Sequence, residues 1–133
     1  MLHAGRAAQH YMQTQVRSSS PLELVVMLYD GILRNTAAAI DAMARKDIRA
    51  RRDAISKSLA IISELQSTLN MDQGGDVAVQ LDRLYTWMTQ SLIDATVKQD
   101  PKPIHDVRRI VESLRDAWQQ IAAPKPAAPE SAA

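Results

Sequence analysis

Apolar residues recur through the middle of the chain at spacings of three and four, the repeat that lines one side of an α-helix. The first such segment lies in SSSPLELVVMLYDGIL, residues 18–33. Ser20 stands where an N-cap hydroxyl is wanted, Pro21 takes the first helical position, and the Glu23 carboxylate can return a bond to the cap. At ~100° per residue, Val25, Leu28, Tyr29, Ile32, Ile40 and Met43 then share a face, which Val26 and Leu33 widen to nearly half the circumference. Asp30, Arg34, Asp41 and Arg45 fall in a narrow wedge opposite. Asp30 with Arg34, and Asp41 with Arg45, are acid-before-base pairs four apart.

Three further segments follow the same rule. The second opens near Asp47 and runs to about Leu69, with Ile48, Ile55, Leu59, Ile62, Leu65 and Leu69 in register and Ile61 to one side. The run NMDQGG, residues 70–75, stops it, because paired glycines remove helical preference. The third starts at Asp76 as cap and carries Val77, Leu81, Leu84, Tyr85, Met88, Leu92 and Ala95. DPKP at 100–103 separates it from the fourth, marked by Ile104, Val107, Ile110, Val111, Leu114, Trp118 and Ile121. Four such helices on short connections predict an all-α fold, an antiparallel four-helix bundle over residues 20–123. Residues 1–19 are expected to form a polar N-terminal arm, and the proline- and alanine-rich residues 124–133 a disordered tail.

Composition narrows the function. Sixteen basic and fifteen acidic residues leave a formal charge of +1, far from the cationic excess of a protein that neutralises phosphates. With no cysteine there is no disulfide, thiolate nucleophile or thiolate metal site. Neither a signal-peptide core nor a membrane-length apolar run is present, so a cytoplasmic protein without membrane insertion is expected.

Catalytic chemistry finds no support in the residue pattern. A di-metal bundle needs inward glutamates and Glu-x-x-His repeats, and no histidine follows Glu23, Glu64, Glu112 or Glu130 at that spacing. No nucleophile elbow occurs, and Gly74-Gly75 lacks the context of a phosphate cradle. Neither enzyme activity nor a cofactor is expected. Arg45, Lys46, Arg49, Arg51 and Arg52 crowd the turn between the first two helices. A solvated bundle end accounts for them, and the alternative is a helical nucleic-acid-binding or adaptor protein that uses this cluster.

Several of these residues fall in a recognisable order. Tyr11 and Val16, then Ser20-Pro21-x-Glu23-Leu24-Val25-x-Met27-Leu28-Tyr29-Asp30-Gly31, Ile62-x-Glu64-Leu65, Gly74-Gly75, Leu84-Tyr85-x-x-Met88 and Ala117-Trp118 resemble the FliS family of flagellar secretion chaperones. The resemblance implies a helical, non-catalytic protein that binds the C-terminal segment of flagellin. The client is thereby kept from polymerising early and is delivered to the flagellar type III export gate. In some relatives an anti-sigma factor is a further partner.

The breadth of the first helix's apolar face fits that implication. Core packing against two neighbours accounts for Val25, Leu28, Ile32 and Ile40, while a surplus would form grooves for a partner helix. The partner-binding residues expected on this basis are Tyr11, Val16, Leu24, Met27, Leu28, Tyr29, Tyr85, Trp87 and Met88. Core packing also accounts for Tyr85 and Met88, whereas Trp87 points away from their stripe. The resemblance further implies that the arm with Tyr11 and Val16 shields hydrophobic surface until the client arrives.

Overall fold

The computed structural model describes residues 20–122. The expected arm, with Tyr11 and Val16, and the expected tail lie outside the described residues. Four helices follow one another: α1 (Pro21–Ala44), α2 (Ile48–Ser67), α3 (Met71–Lys98) and α4 (Lys102–Ala122). They pack as the expected antiparallel bundle in the cyclic order α1, α2, α3, α4, with each helix against its two neighbours and none across the diagonal. Helix α1 packs closely on α2 and α4, while α3 stands further from both of its neighbours.

Local chemistry sets the helix ends. Ser20 Oγ accepts from the Glu23 amide at 3.1 Å and Glu23 Oε1 accepts from the Ser20 amide at 2.8 Å, a complete capping box. Asp47 caps α2 through the Ala50 amide at 3.0 Å. Helix α3 differs from expectation at its start. Asn70 caps a single turn through the Gln73 amide, Gly75 breaks the helix with φ 55° and ψ −135°, and the long rod runs on from Asp76. That backbone conformation is open to glycine and closed to residues with a Cβ.

The core joins all four helices through Leu28, Tyr29, Ile32, Ile55, Ile62, Leu65, Tyr85, Met88, Leu92, Ile104, Val107 and Val111. Polar Thr36 and Ser58 are buried among them, their hydroxyls donating to the carbonyls of Ile32 and Ala54. Burial of a hydroxyl is tolerated because that bond replaces the one lost to water. Arg108 reaches from α4 to donate to the Leu33 carbonyl at 2.6 Å, and Gln66 bridges α2 to Asp82 and Thr86 of α3.

Two expectations are corrected here. Asp30 pairs with Arg115 of α4 at 2.8 Å instead of with Arg34, because its position borders the α1–α4 contact. The expected Asp41–Arg45 pair forms at 2.9 Å. Ile48, Val77 and Ile121, in register with the apolar stripes, are exposed, each close to an end of its helix or of the rod that follows the Gly75 kink.

Candidate functional site

The wider separation of α3 leaves an open groove between it and α4. Val77, Leu81, Leu84 and Trp87 of α3 face Leu114 and Trp118 of α4 across a space of about 470 Å3. Gln80 and Arg83 complete the lining, and Arg83 is its one charged residue. A second cleft of about 220 Å3 opens where α1 and α3 begin and α2 ends, lined chiefly by Val25, Leu65, Leu69, Ala78 and Tyr85. Val77, Leu81 and Trp118 belong to both, so the two adjoin as one apolar depression. Val77 is 64 % exposed and Trp87 38 %, so apolar area remains available to a guest.

The floor is rigid. Trp118 sets its ring edge-on to Tyr29, centroids 6.0 Å apart and planes at 86°, a favoured aromatic geometry. Tyr29 in turn shares a hydrogen bond of 2.7 Å with Tyr85. Burial drives the Tyr29 hydroxyl's pKa well above the ordinary phenol value, and the neighbouring Tyr85 adds to the effect. Burial raises Tyr85 as well, partly offset by the bond from Tyr29. Both are neutral hydroxyls at physiological pH. The depression can therefore bury aliphatic and aromatic side chains without presenting a charge from its floor.

The expected partner-binding residues divide into groups. Leu28, Tyr29, Tyr85 and Met88 lie in the core, each buried almost completely. Their placement follows from α1 and α3 each being flanked on two sides. Tyr85 also lines the end cleft. Leu24 and Met27 are half-buried on α1 and line neither the groove nor the cleft. Trp87 sits on the groove wall. Val77, Leu84, Leu114 and Trp118 were legible as stripe residues but not as surface. The signal that could have marked them is their place on the edges of the α3 and α4 stripes nearest the bundle end.

Among the described residues no group of three or more His, Cys, Asp or Glu could hold a metal ion. No helix among them is long and apolar enough to cross a membrane.

The family model described as flagellar protein FliS matches residues 4–125. The chain belongs to the FliS family. It is 37 % identical to the flagellar secretion chaperone FliS of Campylobacter jejuni, over 84 % of this chain and 87 % of that protein. It is 34 % identical to the protein so named in Vibrio cholerae, over 83 % of this chain and 81 % of that one. For the Salmonella typhimurium chaperone FliS the identity is 33 %, over 93 % and 92 %. In this FliS chain the string Leu28-Tyr29-Asp30-Gly31 is structural. Leu28 and Tyr29 fill the core, Asp30 ties α1 to α4, and a Cβ on Gly31 would lie 2.9 Å from Ile61 Cδ1 of α2.

Proposed function

We propose that this chain is a cytoplasmic export chaperone that binds the C-terminal segment of flagellin. It keeps that segment from polymerising early and delivers it to the flagellar type III export apparatus. It acts by binding, without catalysis, and the export gate and an anti-sigma factor are further partners. The observation that carries the reading is the apolar depression along α3 and α4, in a chain whose relatives are named flagellar secretion chaperones. A client segment that orders as it binds loses about 2 to 5 kcal/mol of its contact energy, so an extended apolar surface is required in compensation. An amphipathic helix laid along Leu84, Trp87, Leu114 and Trp118 meets that requirement by the helix-in-groove mode. Tyr11 and Val16 of the arm are assigned to the same surface before the client arrives.

Titration calorimetry with the flagellin C-terminal peptide tests the reading. The expected result is a 1:1 complex with a negative heat-capacity change and a gain in helicity, and Tyr11→Ala alters affinity without lowering the melting temperature. No heat at micromolar concentrations would reject it.

A further inference from the structure

At the end of the bundle away from the apolar depression, the α1–α2 and α3–α4 turns border a second kind of cleft, about 380 Å3 in volume. Its wall is apolar at Ala42, Met43 and Ile48, and its polar lining is Lys46, Asp47, Arg51 and Gln99. We infer that this cleft binds a carboxylate of an acidic polypeptide segment, held by Arg51 and Lys46, with an aliphatic neighbour of that carboxylate against Met43 and Ile48.

Arg51 supplies the first argument. Its Nε is buried without a hydrogen-bond partner, a state found at no other buried side-chain nitrogen or oxygen among the described residues. A charged donor left without an acceptor is costly, and Arg51 also lines the cleft, where an entering carboxylate can accept from its guanidinium. The backbone supplies the second. Lys46 with φ 59° and Gln99 with φ 54° are the non-glycine residues of positive φ among those described. They follow α1 and α3, at positions where glycine is the ordinary occupant. Both line this cleft. Long polar side chains kept where glycine would relieve the backbone point to a use for the side chains.

Charge selects the class of occupant. Lys46, Arg49, Arg51 and Arg52 form no ion pair among the described residues, whereas Arg45 is taken up by Asp41 and Asp47. Asp47 also accepts from the Ala50 amide, which holds its carboxyl below the usual range and keeps it anionic. That fixed negative charge disfavours a phosphate dianion more than a single carboxylate. No aromatic side chain lines the cleft to stack on a base. The apolar wall suits an amino-acid neighbour. Because this cleft lies at the other end of the helices from the flagellin-binding surface proposed above, both can be occupied at once.

The test uses the full chain and two fluorescein-labelled peptides, one of alternating leucine and glutamate and one of alternating leucine and glutamine. The glutamate peptide is expected to bind about tenfold more tightly, and Arg51→Met to remove about that factor. Lys46→Gly relieves the left-handed backbone, so its melting temperature does not fall while glutamate-peptide affinity drops about threefold. Lys46→Gly keeps the test decisive should Arg51→Met fold poorly. Equal binding of the two peptides, or Lys46→Gly binding as tightly as the parent, overturns the inference. Displacement of the peptide by inorganic phosphate or a short oligonucleotide at lower concentration than by free glutamate peptide also overturns it. Flagellin-peptide binding, measured in parallel, is expected to be unchanged in Lys46→Gly.

Discussion

The hydroxyls of Tyr29 and Tyr85 meet 2.7 Å apart inside the core, joining α1 to α3 across the bundle diagonal, where the two backbones make no close approach. The bond is a cross-brace between the most tightly packed helix and the one that stands furthest out. Trp118 rests against the same Tyr29 ring, so the brace also supports the floor of the apolar groove.

Removing either hydroxyl leaves the other buried without its partner. Tyr29→Phe and Tyr85→Phe are each expected to cost about 1 to 3 kcal/mol in urea unfolding. The double variant is expected to cost clearly less than the sum, because no donor is then orphaned. Strictly additive losses would mean that the bond contributes nothing as a pair.

Alkaline pH tests the same pair by proton linkage. Unfolded tyrosines ionise near pH 10, while burial holds both hydroxyls protonated to higher pH in the fold. Above about pH 10 the unfolded state therefore binds fewer protons than the folded state, and stability falls as pH rises. Below that pH the contribution is present in full. A chemical-denaturation series should show this decline, and the double phenylalanine variant should flatten it. On the acid side, Asp47 and Asp106 have lowered pKa values. Their contribution is present above the ordinary carboxylate range and is lost as pH falls through it, with a small effect because neither is buried and their cationic partners are exposed.

The corner before the long rod of α3 tolerates no side chain. A Cβ on Gly74 would lie 2.6 Å from the Ala78 Cβ, an atom that cannot swing away, and Gly75 has positive φ. Gly74→Ala and Gly75→Ala are each expected to lower unfolding stability by about 1 to 3 kcal/mol. Gly31→Ala should change it by less than about 1 kcal/mol. There the close atom is the mobile end of Ile61, and alanine's better helix propensity offsets the contact. Equal losses at all three positions would contradict the geometry.

Trp87 and Trp118 line one groove but carry different loads. Trp87→Ala is expected to weaken flagellin-peptide binding about tenfold with little change in melting temperature, as for an aromatic anchor at an interface. Trp118→Ala should reduce both affinity and stability, because its ring also packs on Tyr29. Calorimetry and thermal melts on both variants check this. Unchanged affinity in Trp87→Ala would remove the groove from the proposed binding surface.

Much of this fold was legible in the residue order because its causes are local. The Ser20–Glu23 box, the Asp47 cap and the three-and-four spacing act over a few residues of chain, and each appears where it was expected, whereas the glycine pair kinks the start of α3 instead of ending α2. Periodicity names the side of a helix that turns inward, but it cannot say whether a neighbour covers that side along its whole length. Tyr29 and Val77 both belong to apolar stripes, yet one is fully buried and the other mostly exposed. Asp30 met Arg34 by helical spacing, and a guanidinium 85 residues away took its place. The groove and the charged cleft arise in the same way, from how far α3 stands from its neighbours and from which turns share an end. Those distances are set by all the side chains packing together, and so only the assembled bundle decided them.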